Sequence, residues 1–367
     1  MKFSFDRDSM IKEISIAQEI ITNKSPISIL SNILLEAQNN TLTIKASDTS
    51  VNFITHIPVE VQEEGTTTIY CDKFMSILTS LPQGEVEFEQ EDIKVTIKPI
   101  SKKIKFQLKS IASDKFPEIA STEAVPFFEV PAKDLKEMIC QTVFAVSDDG
   151  NRYFMTGVFF TKKEDNLIMV ATDGRRLSFI QKPIAQSIPD FTPSIVPVKI
   201  LNCILKNAAS EGTISVAVVD KMVFVKFGNY EFSSLLLDGQ FPNYQRVIPE
   251  KQSFSFQVQK NDLENALKRT ALMIDKKICR ILFKVSPGVL KLVSPESDIG
   301  TADEEIPCRY DGNEIDLALN YRYIEDPLKV INAENVVFEF TEAMKAITLR
   351  PEPSSDYLHI IMPMNLE

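Results

Sequence analysis

Histidine is scarce in this chain: 367 residues carry two, His56 and His359, far apart. Zinc sites and Ser-His or Cys-His catalysis are therefore poorly supplied. The five cysteines, Cys71, Cys140, Cys203, Cys279 and Cys308, are scattered, odd in number and never spaced as a metal-ligand pair. They read as free thiols filling small core positions in a reducing cytosol. No apolar run reaches the roughly 18 residues of a membrane span. The opening Met1-Lys2-Phe3-Ser4-Phe5-Asp6 lacks the apolar stretch of a secretion signal. Positive charge is short as well, with 40 Lys and Arg against 51 Asp and Glu, a net charge of −11. That balance argues against wrapping nucleic acid with the general surface, and it makes the position of each cation informative. Zinc-finger spacing, a phosphate-binding loop and an aromatic-rich basic patch are all missing, and no cofactor or metal is expected.

What is present is a repeat. Leu42-Thr43-Ile44-Lys45-Ala46-Ser47-Asp48 returns 125 positions later as Leu167-Ile168-Met169-Val170-Ala171-Thr172-Asp173, and Phe116-Pro117-Glu118 returns at the same offset as Phe241-Pro242-Asn243. A fainter third copy runs Leu290-Lys291-Leu292-Val293-Ser294-Pro295-Glu296. Solenoid units are about 20–50 residues long, whereas this period matches whole domains. Pro and polar residues gather near Ser121–Pro126 and Pro249–Ser253. Three similar domains are therefore expected, at 1–121, 122–250 and 251–367.

Each copy opens with an alternating strand (2–6, 127–131, 253–259) and then an amphipathic helix. The helix stripes are Met10, Ile14 and Ala17; then Leu135, Met138, Ile139 and Val143; then Leu263, Ala266, Leu267 and Ala271. Asp8, Asp134 and Asp262 stand near the helix starts, where an acid suits the dipole. Strands follow, then a second helix near 72–81, 198–208 and 321–331, then more strands. The short connections predict an α+β fold with antiparallel sheets.

The second helices carry Lys73, Lys199 and Arg322 in their first turns, where a cation opposes the dipole at about 0.3–1 kcal/mol. The first helices add Arg7, Lys12, Lys133, Lys136, Lys260, Lys268 and Arg269. If three copies curve with helices inward, these cations meet a duplex through diffuse, sequence-independent charge. Two rivals remain. An enzyme would use Asp173 with Arg175 and Arg176, without a paired His or phosphate loop. A peptide scaffold that never touches DNA would have no use for the matching cations.

The chain resembles the bacterial DNA polymerase III beta subunits, the sliding clamps. The resemblance is carried by Met1-Lys2-Phe3, Ile29-Leu30-Ser31-Asn32-Ile33-Leu34-Leu35, Arg152-Tyr153-Phe154-Met155-Thr156-Gly157, Ala171-Thr172-Asp173-Gly174-Arg175-Arg176-Leu177, Asp238-Gly239-Gln240-Phe241-Pro242-Asn243-Tyr244 and Met362-Pro363-Met364. It implies three clamp domains per chain and a head-to-tail homodimeric ring, with sheets outside and two helices per domain lining a pore. It implies no catalysis. The ring would encircle double-stranded DNA and tether the polymerase III alpha subunit, the clamp loader, and other polymerases and repair proteins.

The same resemblance implies three sets of residues. A partner-peptide groove would be lined by Met155, Thr172, Gly174, Arg175, Arg176, Leu177, Pro242, Arg246, Val247, Met344, Ala346, Ile360, Met362, Pro363 and Met364. Methionines suit varied apolar anchors there, and the arginines a carboxylate or carbonyl. The dimer junction would pair an edge strand at 102–108, with Lys102, Lys103, Lys105, Phe106 and Leu108, against Leu272, Met273 and a strand at 301–306 bearing Asp303, Glu304 and Glu305. DNA would be faced by Lys24, Lys73, Arg152, Tyr153, Lys199 and Arg322, although Asp148 and Asp149 sit awkwardly beside Arg152. The chain departs from the family at Asn365, where a basic residue is common, and at an added Glu367. These changes leave the pull on acidic partner segments open but not the apolar anchoring.

Overall fold

The computed structural model describes residues 1–22, 28–185, 187–298 and 300–366. Six α-helices are found among them: α1 (Arg7–Ile20), α2 (Cys71–Ser80), α3 (Ala132–Cys140), α4 (Val198–Asn207), α5 (Lys260–Thr270) and α6 (Tyr321–Val330). The chain forms two compact units, one of Met1–Lys133, Pro189–Thr192 and Lys199–Leu236, the other of Asp134–Ile188, Pro193–Val198 and Leu237–Glu367.

The expected alternation of strands and helices holds, and every ladder is antiparallel. The apolar stripes face inward as their spacing requires: Met10, Ile14, Ala17, Met138, Ile139, Leu263 and Ala266 are fully buried. Two stripe positions differ. Val143 and Ala271 lie just past α3 and α5 in short 3₁₀ turns, Val143–Ala145 and Ala271–Met273. Just past α3 the Thr142 hydroxyl donates to the Met138 carbonyl at 2.7 Å. Asp8 does occupy the first turn of α1, but the cap is Asp6, which accepts from the Ser9 amide at 2.8 Å.

In the first unit a five-stranded sheet runs in the order Glu60–Glu63, Lys2–Asp6, Glu85–Glu91, Lys94–Pro99, Phe106–Lys109. The last of these is an edge, as expected, but it is shorter than 102–108. The Ile104 amide donates to the Lys102 carbonyl at 2.9 Å, and this tight turn takes Lys102 and Lys103 out of the ladder. An eight-stranded sheet in the same unit joins strands of two repeat copies. Tyr230–Leu235 pairs with Val51–Pro58, placing Phe232 opposite Phe53 and Tyr230 opposite Thr55. The Phe53 and Phe232 ring centroids lie 5.0 Å apart and both rings are buried.

Glu13 of α1 closes this seam. Its buried carboxylate accepts from the Thr55 hydroxyl at 3.0 Å and from the Tyr230 hydroxyl at 3.1 Å, one group from each strand. A buried carboxylate is tolerated only when its oxygens are satisfied this way.

The second unit carries a twelve-stranded sheet in the order Ser194–Pro197, Gly157–Lys163, Asn166–Thr172, Arg176–Pro183, Tyr357–Ile361, Ile347–Glu352, Asn335–Phe340, Phe254–Gln259, Asp303–Arg309, Val289–Val293, Arg280–Ser286, Ile315–Asn320. Here too strands of two copies pair, Arg176–Pro183 with Tyr357–Ile361. No helix among the described residues is long and apolar enough to cross a membrane.

Replacing Glu13 by Ala removes the acceptor of two buried hydroxyl protons, at up to about 1–3 kcal/mol each before relaxation, with Thr55 keeping the bond it accepts from Asn229 at 2.9 Å and Tyr230 its bond with Lys12. The first urea transition of Glu13→Ala should therefore fall clearly below that of the native chain. Adding Tyr230→Phe should cost less than it does in the native chain, because its carboxylate partner is already gone and only the bond with Lys12 remains to be lost. Full additivity of the two substitutions would contradict this account of the seam.

Candidate functional site

Thr172 to Arg176 form a tight turn ahead of the strand Arg176–Pro183. The Asp173 carboxylate accepts from the Arg175 and Arg176 amides at 2.9 and 3.0 Å, and the Thr172 hydroxyl donates to the Arg176 carbonyl at 2.6 Å while accepting from the Gly174 amide. Gly174 has φ +88°, and a Cβ there would lie 2.9 Å from an Arg152 nitrogen. The positive φ favours glycine, whereas the Arg152 terminus could shift to admit a Cβ. Arg152 fastens this turn to a neighbouring one, donating to the Asp173 carbonyl at 3.1 Å and to the Asp149 carboxylate at 2.9 Å. Asp149 is held below the usual carboxylate range by the Asn151 amide and then by Arg152. The acid that looked misplaced beside a DNA-facing Arg152 is thus its structural partner.

Arg176 does not reach outward for a peptide. Its guanidinium donates to Asp173 (3.1 Å), Asp326 of α6 (2.8 Å) and the Phe144 carbonyl (2.7 Å), and it lies over the Tyr323 ring at 4.7 Å. It holds the turn to α6 and leaves Arg175 and Arg246 as the exposed cations. Beneath it His359 is fully buried, with Nδ1 3.3 Å from the Ser178 hydroxyl. Burial, and then the Arg176 charge, push its pKa down to about 3.

The groove residues named from the sequence divide by depth. Leu177, Ile360 and Ala346 belong to one apolar cluster with Phe241, Phe154, Tyr244 and Ile248, which are neighbours in sequence of Pro242, Met155, Arg246 and Val247. Met155 and Thr172 are buried. Val247, Met344 and Met362 stand exposed at 41%, 53% and 39%, a notable amount of apolar surface for three residues of one small region. The 241–252 segment is tied to this region through Gln252, which donates to the Ala346 carbonyl at 2.8 Å.

The tail is pinned along its length. The Met362 amide donates to the Arg175 carbonyl at 2.9 Å, the Met364 amide to the Ala318 carbonyl at 2.8 Å, and Arg280 reaches the Asn365 carbonyl at 3.3 Å. Beside it opens a chamber of about 480 Å³, lined by Arg175, Met362, Pro363 and Met364 together with Lys277, Ile278, Arg280, Asn320, Tyr323 and Asn365. Of the last six, Asn365 alone was singled out from the sequence. Nothing local marks the other five, since only the ladder geometry brings 277–280 and 320–323 to the tail.

The other expected sites are placed as follows. Lys24 and Glu367 lie outside the described residues. Lys73 and Arg322 are exposed in the first turns of α2 and α6, and Tyr153 is 51% exposed. Lys199 is already engaged, with its ammonium on the Asp48 carboxylate and the Ile20 carbonyl. At the expected junction, Asp303 and Glu305 pair with Lys291 at 3.2 and 3.3 Å, and Glu304 pairs with Arg269. The strand there spans Asp303–Arg309, and Leu272 beside it is 77% exposed.

His359 gives the region a pH signature. The unfolded chain takes up a proton near pH 6.5 that the folded chain refuses until about pH 3. Stability attributable to this group is complete above pH 6.5 and falls as pH drops, by about 1.4 kcal/mol per unit. His359→Gln should therefore lose stability less steeply than the native chain between pH 6.5 and 4.5, as read from urea midpoints. Parallel slopes would contradict the burial of a neutral imidazole.

Family models for the DNA polymerase III beta subunit match the chain along nearly its whole length: the N-terminal domain at residues 1–120, the central domain at 129–243 and the C-terminal domain at 245–365. The beta sliding clamp of Treponema pallidum is 45% identical with full coverage of both chains, and that of Escherichia coli K12 is 27% identical with the same coverage. The structure of the Pseudomonas aeruginosa beta subunit superposes with a TM-score of 0.93 at 26% identity, each chain fully covered. The Bacillus subtilis clamp, at 24% identity and a TM-score of 0.95, shares the fold. A threefold sequence repeat, antiparallel sheets that join one copy to the next, and these full-length matches lead to one conclusion: the chain belongs to the DNA polymerase III beta subunit family, the sliding clamps.

Proposed function

We propose that this clamp works as one half of a closed ring of two chains and six modules, 1–121, 122–250 and 251–367 in each. The ring surrounds duplex DNA in the cytoplasm. As a member of the sliding clamps it is a non-catalytic processivity factor of the replicative polymerase. The observation that carries the ring is a pair of complementary free edges. Phe106–Lys109 is the outer strand of its sheet. Asp303–Arg309 meets Phe254–Gln259 only at Cys308 and Arg309, so residues 303–307 have a strand neighbour on one side alone among the described residues. Unpaired strand edges are templates for addition of another strand.

Apolar contact carries this junction more than charge. Asp303, Glu304 and Glu305 already have partners within the chain, so Lys103 and Lys105 add to an existing network. Phe106 and Leu108, half-buried, instead offer apolar cover for Leu272 and Met273, and a leucine left in water is otherwise unfavourable. Two different patches meeting head to tail make the heterologous contact that closes a ring.

Weak DNA contact suits a ring, because closure rather than affinity retains it. Lys73 and Arg322, exposed in the first turns of α2 and α6, supply the diffuse positive charge, while Lys199 and Arg152 are largely neutralised by Asp48 and Asp149 and Tyr153 adds an exposed hydroxyl. The polymerase alpha subunit, the clamp loader and other replication and repair proteins dock through short peptides on Val247, Met344 and the tail, with Gly174 and Pro242 at the rim and Leu177, Ala346 and Ile360 as floor.

Leu272→Ala with Met273→Ala should give monomers of about 41 kDa by light scattering, where the native chain gives twice that mass. Persistent dimers would contradict the junction. Deleting Met362–Glu367 should abolish binding of an alpha-subunit peptide while leaving the dimer whole. Undiminished peptide affinity would remove the tail from the site.

A further inference from the structure

The chamber beside the tail has a composition that apolar anchoring does not explain. Its wall holds three cations, Arg175, Lys277 and Arg280, and no carboxylate. None of the three forms an ion pair with a carboxylate among the described residues. Two acids next to it are spent, since Asp173 and Asp326 both serve Arg176, and a third, Asp275, points at the Lys277 backbone, accepting from its amide at 2.7 Å. Arg280 gives one N–H to the Asn365 carbonyl, yet its Nε is buried with no partner. Asn320 uses its side-chain oxygen to cap α6, accepting from the Arg322 amide at 3.0 Å. Its amide N–H groups therefore remain available to an acceptor.

Three like charges around one cavity repel each other, and in a chain of net charge −11 an intramolecular acid would be easy to supply. Donors are in excess and acceptors are lacking. We propose that the chamber takes a carboxylate of the docked partner peptide, held by Lys277, Arg280 and Arg175, so that this clamp selects peptides bearing an acid at the chamber end. The inference rests on the peptide-groove reading and adds a charge requirement to it. Asn365 fits this role as well. It carries no charge of its own, and its carbonyl holds the Arg280 guanidinium at the chamber wall, so the cations come from the 277–280 segment rather than from the tail. Met362, Met364 and the Tyr323 ring form apolar walls that lower the local dielectric and strengthen each charged contact.

The test uses the full-length dimer and a fluorescent clamp-binding peptide from the polymerase alpha subunit. The peptide is extended at either end by one Asp or one Asn, with its C-terminus free or amidated. Anisotropy titration should show one Asp-extended form binding about five- to tenfold tighter than its Asn counterpart, with the gap shrinking in added salt. A gap that follows the free C-terminus instead assigns the carboxylate to the chain end, which equally supports the chamber. Lys277→Ala with Arg280→Ala should bring the ratio near one, and Lys277→Glu with Arg280→Gln should invert it. Light scattering confirms that each variant remains a dimer. If the unextended peptide binds but no acid-dependent gap exists at either end, the proposal is overturned and the groove stands. If no form of the peptide binds, the groove reading itself fails.

Discussion

The second unit depends on one strand seam, Arg176–Pro183 against Tyr357–Ile361. It joins chain segments about 180 residues apart, and it sets Leu177 opposite Ile360 and Arg176 opposite Ile361. Everything at the candidate site is referred to that register. The turn at Asp173–Gly174 precedes the seam, the tail leaves from its other strand, and Arg176 at its end ties both to α6 through Asp326. A slip of one residue would turn Leu177 and Ile360 out of the cluster they share with Phe241. The buried Ser178, Tyr357 and His359 hydrogen-bond within the seam and leave little freedom for such a slip.

The first unit uses the same device with different residues. Phe53 against Phe232 supplies the apolar part, and Glu13 bridging Thr55 and Tyr230 supplies the polar part. In both units a strand of the central repeat copy continues a sheet begun by another copy. Similar copies can pair this way because each offers a sheet edge of the same pitch and hydrogen-bonding pattern. A protein that works by closure has good reason to make its internal joints from backbone hydrogen bonds and reserve its exposed edges for a second chain.

Much of this was legible in the sequence. Repeat offsets, alternating strands and the stripes on α1, α3 and α5 follow from side-chain periodicity, which local burial enforces. The Thr172–Leu177 turn and the Met362-Pro363-Met364 tail were recognisable as a site through their resemblance to a family. Position along the chain did not reveal how charge is spent. Arg176 and Lys199 look like free cations in the sequence, and both are consumed by partners more than a hundred residues away. Conversely, Lys277 and Arg280 look like ordinary surface charge until the ladder brings them beside the tail. The edge strand before Phe106 was overestimated because a backbone turn at Lys102–Ile104 carries no side-chain signature.

The claim to which all of this leads is topological: the protein is held on DNA by being closed around it, with little affinity in the contact itself. The most direct measurement follows native protein loaded on a nicked circular duplex and then challenged by cutting the circle once. Retention on the intact circle at moderate salt, with rapid loss after linearisation, is the predicted result. Equal retention before and after the cut would mean that the chain binds DNA by contact, and the closed-ring account would be wrong.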